Sequence, residues 1–350
     1  MTDKIRVGVL GATGAVGQRF IQLLEGHPLF ELAEVAASDR SAGKPFAEAC
    51  TWRLPGTPPR DAAGLTVTTC DAPFRSRLLF SGLDSSVAGE VEETLAGRGH
   101  AVVSNARNHR LDPDVPLLIP EVNPRHLDAL DVQRRRTGGG YIVTNPNCSV
   151  VGLAMALAPL EAAFGLESVT VVTLQALSGA GYPGVASLDV ADNVVPYIGG
   201  GEEEKIEVEP RRILGRWDGG RFHEAGFTVS ASVHRVGVTD GHTLALFVRP
   251  RTPATPEDAR RVLREFRGEP QERRLPSAPE HPIHVLDGVD RPQPRLDRDR
   301  ERGMAVSVGR VRGDGGSGLK LEALVHNTIR GAAGAAILNA ELLHARGLLP

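Results

Sequence analysis

The chain has 350 residues, 41% of them hydrophobic and 24% charged, with a formal net charge of −3. That length supports two domains with cores of their own, and so small a net charge gives no electrostatic basis for a nucleic-acid or membrane-surface partner. No apolar run reaches the roughly 20 residues that span a bilayer, and three cysteines, Cys50, Cys70 and Cys148, are too scattered for a disulfide framework or a metal cluster.

The first residues, MTDKIRVGVLGATG, enter a strand pattern at once, so no signal peptide is expected and a cytoplasmic enzyme is the default. Ile5–Leu10 reads as a short buried strand. GATGAVG follows and places Gly11, Gly14 and Gly17, with Thr13, Ala15 and Val16 between them, directly before a helix carrying Val16, Phe20, Leu23 and Leu24 at helical spacing. This is a close variant of the dinucleotide fingerprint. The first glycine allows the tight turn, and the middle one lets the backbone reach a pyrophosphate at the helix N-terminus. The second strand, FELAEVAAS, ends in SDRSAGK. An NAD site wants an acidic group at that tip. Ser38, Arg40 and Ser41, with Lys44, suit a 2′-phosphate and favour NADP, while Asp39 is the ribose ligand if the register moves by one.

LLFSGL, HAVVSNA and LLIPEVN (Leu117–Asn123) read as further strand ends, with SVAGEVEETLAGRG as an intervening helix. Such alternation implies an open parallel sheet with right-handed crossovers. Next comes TNPNCSVVGLAMAL: a strand, a Pro-Asn turn, then a helix with Val151, Ala154, Met155 and Leu157 on one side. Cys148 therefore falls at or beside the helix N-cap, where unpaired amides favour a thiolate. Asn147 can offer an amide to an oxyanion. Most free cysteines are buried and inert, and Cys50 and Cys70 take that reading. The turn and the upstream cofactor loop set Cys148 apart as a nucleophile.

Beyond Cys148 the texture changes. SVTVVTLQAL, FTVSASVHRVGV, HTLALFVRP, AVSVGRVRG and LKLEALVHN are β-branched and partly alternating, so a mixed or antiparallel sheet is expected. RPQPRLDRDRERG (Arg291–Gly303) reads as a polar loop. The last helix, NTIRGAAGAAILNAELLHARG, carries a small-residue stripe at Gly331, Ala332, Gly334 and Ala335. His242 opens a strand after an Asp-Gly turn. Arg235 is expected on the face opposite Val236 and Val238. A lone His is more often structural and a lone Arg more often a surface charge. A thiolate beside a nicotinamide, however, needs a base and cations for an anionic substrate.

GATGAVG, ASDRSAGK, NPNCS, LQALSGAGYPG, NVVPYIGGGEEEK, HRVGVTDGHT, RPQPRLDRD and HNTIRGAAGAAILNAE, in this order along nearly the whole chain, resemble aspartate-semialdehyde dehydrogenases, and SGAGYPG with EEEK resembles the archaeal and fungal branch. The resemblance implies an α/β fold of the glyceraldehyde-3-phosphate-dehydrogenase type. A Rossmann-type NADP domain (1–147, with the C-terminal helix 327–350) would join an α+β catalytic and dimerisation domain with a large mixed sheet (148–326). It implies Cys148 as nucleophile, His242 as general acid–base and Gln175 as orienter of the acyl group. Arg235 would bind the substrate α-carboxylate and Glu202 its ammonium. Lys205 would serve the phosphate or carboxylate region, and Arg110 with Asn108 the phosphate. Ser178, Gly179 and Asn327 would line the nicotinamide end. The implied reaction interconverts 4-phospho-aspartate and aspartate 4-semialdehyde plus phosphate, with NADP, in a homodimer or homotetramer. A malonyl-CoA reductase of the same fold is the alternative, from which Glu202 and Arg110 lean away. A non-catalytic NADP-binding regulator would have lost Cys148, His242 or Arg235. Asn147 and Ser149 around the cysteine argue against N-acetyl-glutamyl-phosphate reductase. Arg107, in SNARNHRL, is an extra cation with no role implied.

Overall fold

The structure, a computed structural model, describes residues 4–350. IRVGVL forms strand β1 (Ile5–Leu10), whose Val7, Val9 and Leu10 are fully buried. β2 (Phe30–Ala36), β3 (Val67–Thr68), β4 (Leu78–Ser81), β5 (Ala101–Ser104) and β6 (Tyr141–Thr144) join it in one sheet. Its order is β3-β2-β1-β4-β5-β6 and every pairing is parallel. The strand order reverses between β1 and β4, so a crevice opens at their C-terminal ends. α1 (Ala15–Leu24) leaves that edge just after β1, and α2 (Ser85–Gly97) just after β4. α3 (Leu130–Thr137) precedes β6.

Leu117–Asn123 departs from the expected strand. Only Leu117 bridges to Thr144. Pro120 offers no N–H, and the Asn123 side chain takes the Ile119 N–H and donates to the Leu117 carbonyl, each at 2.8 Å, which closes a turn.

The second half forms a mixed sheet from β7 (Leu166–Gln175), β8 (Val195–Pro196), β11 (Thr228–Arg235), β12 (His242–Pro250), β13 (Ile283–Leu286), β14 (Val306–Gly313) and β15 (Leu319–Val325). The order is β13-β14-β15-β12-β7-β11-β8, and a short hairpin of β9 (Arg216–Trp217) and β10 (Phe222–His223) stands apart. α4 (Cys148–Phe164), α5 (Glu202–Ile213) and α6 (Pro256–Glu265) cover one face. Along β7 and β12 the residues on that face, Val169, Val171, Leu244, Leu246 and Val248, are buried. Leu174 and Phe247, on the opposite face, are 41% and 47% exposed. Among the described residues no helix is long and apolar enough to cross a membrane.

α4 is apolar on every side rather than on one. Ser149 to Leu160 are all buried, because the helix runs between the two halves of the molecule. Arg291–Gly303 is not an irregular loop. Asp297, 1% exposed, accepts from Arg291, Arg300 and the Gln293 N–H, and this hub folds the segment into short helical turns. The final helix is in two parts, a π-turn at Ile329–Ala333 and then α7 (Gly334–Ala345). α7 packs Ala336, Ile337 and Ala340 into the same core as Val7 and Phe20.

The chain passes between the halves twice, at 145–148 and at 326–333. Asn145 Nδ2 donates to the Ala332 carbonyl at 2.9 Å, and Asn339 Nδ2 donates to Asn145 Oδ1 at 2.6 Å. The two crossings are thus bonded to each other.

Candidate active site

A cleft of about 290 Å³ runs from Ala15 and Val16, at the start of α1, past Asn105 and Arg110 to Asn147 and Cys148; Ser178, Gly179 and Asn327 form its other wall. That volume lies at the small end of the range for small-molecule clefts.

At the nucleotide end the glycines do structural work. Gly11 has φ +69°, and a Cβ there would lie 2.7 Å from the Gly82 carbonyl oxygen. A Cβ on Gly17 would lie 2.2 Å from the Gly11 oxygen and 2.7 Å from Ala12 Cα. Gly14 is the N-cap of α1 and supplies no side-chain cap, so the first amides of the helix have no partner from their own cap. This is the cradle a dinucleotide pyrophosphate requires, and the residues present fit that group. Thr13 lies within the turn, and its carbonyl accepts from Gln18 Nε2 at 3.0 Å. Ser38 and Arg40 are exposed beyond β2, with Asp39 between them and half-buried Ser41 after them.

At the other end Asn147 is the N-cap of α4. Its Oδ1 accepts from Ser149 N–H at 2.9 Å, and Cys148 is the first helical residue. Cys148 Sγ lies 3.2 Å from His242 Nε2. His242, the first residue of β12, is fully buried. Its Nδ1 accepts the Ala176 main-chain N–H at 3.0 Å. The helix terminus favours a thiolate, and burial opposes it. Burial pushes the Cys148 thiol up to about 12, with the Glu202 carboxylate adding to the effect against Arg110, Lys205 and Arg235. Burial, with Arg235 next, pushes His242 down to about 3. Both shifts favour the uncharged forms, against the helix terminus, which favours a thiolate.

Around this pair the sequence-derived residues converge, with two differences. Arg235 closes β11 on the same buried side as Val233, so it faces the core rather than away from it, and Val236 and Val238 lie past the strand end. Its Nη1 donates to the Ala176 carbonyl at 2.6 Å. A Cβ on Gly179 would come within 2.9 Å of that nitrogen and 3.0 Å of His242 Cε1. Asn108 is the second difference. Its amide donates to the Ser85 carbonyl at 2.9 Å on α2, away from the residues that line the cleft.

Among the three consecutive glutamates the structure selects Glu202. Its Oε1 accepts from Asn147 Nδ2 at 2.8 Å and Gln175 Nε2 at 3.2 Å, and its Oε2 pairs with Lys205 at 2.6 Å. Burial alone would raise its pKa, but Lys205 and these amides outweigh burial and hold it below the ordinary carboxylate value. Glu203 Oε1 instead accepts the Val233 N–H at 3.1 Å. Asn327 ties the far wall together, with Nδ2 donating to Ser178 Oγ and Oδ1 accepting the Gly241 N–H, each at 2.8 Å.

Sequence reasoning missed Glu209. It is 2% exposed, pairs with Arg110 Nη1 at 2.8 Å and accepts the Asn147 main-chain N–H at 2.7 Å. Its spacing of seven from Glu202 puts both on one face of α5, a signal hidden in a charge-rich run. Arg107 also finds a place, donating to the Gly200 carbonyl at 3.0 Å and so tying the sheet edge to the glycines before α5.

Comparison with known proteins agrees with this geometry. Residues 6–130 match the semialdehyde dehydrogenase NAD-binding domain and residues 157–330 the semialdehyde dehydrogenase dimerisation domain. The chain is 51% identical to an aspartate-semialdehyde dehydrogenase of Methanothermobacter thermautotrophicus, over 97% of this chain and 99% of the relative. It is 48% identical to that of Schizosaccharomyces pombe, over 98% and 99%. A crystal structure of the Candida albicans enzyme with NADP aligns at a TM-score of 0.91 and 44% identity, covering 99% and 100% of the two chains. A Vibrio cholerae aspartate semialdehyde dehydrogenase II complexed with ASA aligns at 0.78 and 27%, covering 98% and 99%.

Proposed function

Because the chain belongs to the aspartate-semialdehyde dehydrogenase family, we propose that it interconverts 4-phospho-L-aspartate and L-aspartate 4-semialdehyde plus phosphate, with NADP, through a thioester on Cys148. The observation that carries this reading is the Cys148–His242 pair at 3.2 Å, in the cleft that begins at the N-terminus of α1. In the reductive direction this chemistry feeds lysine, methionine and threonine synthesis.

Cys148 Sγ attacks the acyl carbon. His242 Nε2, facing the sulfur, is the general acid–base, and Asn147 and Gln175 orient the acyl group. Both amides are themselves held by Glu202. Arg235, buried with no carboxylate in contact, receives the substrate carboxylate. Glu202 meets the substrate ammonium. Lys205 and Arg110 serve the phosphate end, with Arg110 already steadied by Glu209. Gly11, Gly14 and the first turn of α1 hold the pyrophosphate. Ser38, Arg40 and Ser41 surround the 2′-phosphate, and Ser178, Gly179 and Asn327 flank the nicotinamide. When bound, the cofactor supplies or accepts the hydride.

Residues 1–147 with 327–350 form the nucleotide-binding domain and 148–326 the catalytic domain, a division supported by α7 in the first core. The face of the second sheet that bears Leu174 and Phe247 pairs two subunits, and the tetramer of this branch is two such dimers.

Reduced-nicotinamide absorbance gives the test. NADP reduction is expected with aspartate semialdehyde plus phosphate, and Cys148→Ala is expected to abolish it. Turnover of malonyl-CoA in place of the aspartyl substrate, or full activity of Cys148→Ala, would overturn the assignment.

A further inference from the structure

We infer that Glu203 and Glu207 are positioning residues that lock α5 onto β11 in one register. They thereby set the separation of Arg235 and Glu202, the pair that reads the α-carboxylate and the ammonium of the substrate. The inference deepens the reading above and rests on it. β7 covers one edge of β11, and on the other edge β8 pairs only with His234 and Arg235. The N–H groups of Ala231 and Val233 therefore meet no strand there. Glu207 Oε1 accepts from Ala231 at 3.0 Å, and Glu203 Oε1 accepts from Val233 at 3.1 Å. Each carboxylate takes up an edge amide that the sheet leaves without a partner.

The spacing turns the two bonds into a ladder. Four residues of helix rise about 6 Å, and two residues of strand rise about 6.6 Å, so successive rungs coincide. The helix runs antiparallel to the strand, since residue number rises along one as it falls along the other. Only one register gives two rungs. Shifted by a rung in either direction, α5 would bring Arg211 or the preceding Gly199 to a strand amide, and neither has an acceptor side chain. Ile206 and Ile213 bury α5 against the sheet, but apolar contact is non-directional. Gly201, the N-cap, adds no side-chain cap that would fix where the helix begins. The directional hold on β11 comes from the two carboxylates.

Register matters because both elements end in the site. Val233 lies two residues before Arg235 on the same buried side, and Glu203 directly follows Glu202. The rung nearest the cleft thus joins the strand that carries the guanidinium to the helix that carries the carboxylate. Glu202 Oε2 pairs with Lys205 of the same helix at 2.6 Å, so the carboxylate travels with α5. A substrate with an ammonium and a carboxylate on one carbon needs both ligands at a fixed separation. A substrate without the ammonium makes no use of Glu202. Glu203 therefore acts on the choice of substrate as well as on rate.

The test compares aspartate semialdehyde with its des-amino analogue, succinic semialdehyde, each with phosphate and NADP. Where turnover of the analogue is too slow to follow, its Ki as a competitor takes the place of kcat/KM. In Glu203→Ala, kcat/KM for aspartate semialdehyde is expected to fall about tenfold further than for the analogue, with KM for NADP unchanged. Glu203→Gln keeps an acceptor oxygen and is expected to keep the wild-type ratio. Glu207→Ala, on the rung farther from the cleft, is expected to move the ratio the same way and less. Equal loss on both aldehydes in Glu203→Ala, or loss on neither, would overturn the inference. So would a Glu203→Gln variant as unselective as the alanine variant. If Glu203→Ala does not fold, the ratio in Glu207→Ala decides. Hydrogen exchange of residues 229–234, followed by mass spectrometry, checks the rungs without substrate. Each alanine variant is expected to lose one protected amide that Glu203→Gln retains, and free exchange of both amides in the wild type would remove the ladder. A wild type that reduces NADP with neither aldehyde, its two amides protected, would overturn the assigned reaction and the role in selectivity with it, while the rungs stand.

Discussion

Gly179 shows how little room surrounds the reacting atoms. Its missing side chain keeps space between Arg235 and His242, and a methyl group there would meet both near 3 Å. Gly179→Ala is expected to lower kcat/KM for the aspartyl substrate about tenfold or more, a transition-state loss of ~1.4 kcal/mol. Steady-state kinetics with the substrate varied would check this, and wild-type values would show that the clamp yields. At this scale the sequence was informative where residue type and neighbours agreed. Cys148, after a turn and before an apolar run, was legible as the residue at a helix N-terminus; its buried surroundings were not. The helix terminus is visible in sequence, but the burial that opposes it comes from His242 and α5, 94 and more than 50 residues away. Glu209 and the Ala176 amide were invisible for the same reason: each acts by where the fold brings it.

Among elements, the β1–α1 turn was the most legible, because its constraints are local. Gly17 packs against the backbone of Gly11 and Ala12, where no side chain can move aside. Gly17→Ala is expected to cost about 1–3 kcal/mol of stability, the usual penalty of overpacking, and to weaken NADPH binding. Thermal unfolding and a fluorescence titration would report both, and an unchanged melt with unchanged affinity would remove the turn from the cofactor site. The misread elements were those whose hydrogen bonds are taken by side chains. Leu117–Asn123 has strand-like composition, but Asn123 claims the groups a ladder would use. Arg291–Gly303 looks like a loop because it is polar, yet buried Asp297 folds it from within. α4 read as one-sided because a helical wheel finds a stripe, while burial on every side follows only from two layers meeting around it.

At the scale of the molecule, strand–helix alternation revealed the parallel half, and β-branched texture revealed the mixed half. Neither reveals the strand order of the second sheet, because long-range pairing between β7, β11, β12 and β15 leaves no local mark. The sheet face bearing Leu174 and Phe247 has the partly apolar character of an interface. Phe247→Glu is expected to shift the protein from dimer to monomer in sedimentation velocity while its circular dichroism stays native. A dimer of unchanged strength would place the interface elsewhere.

The bond between the two chain crossings has a mechanical consequence. Asn145, Ala332 and Asn339 fasten the passages together, and the second passage lies against the nucleophile, since a Cβ on Gly331 would sit 2.9 Å from Cys148 Cβ. The sulfur thus stands at the fulcrum of the molecule. Any rotation of one half on the other grows with distance from that point. The outer rim of the nucleotide cleft, at Ser38 and Arg40, would swing most, while Cys148 and His242 hold their spacing. Ligands can then enter and leave by a motion to which the reacting pair is nearly blind.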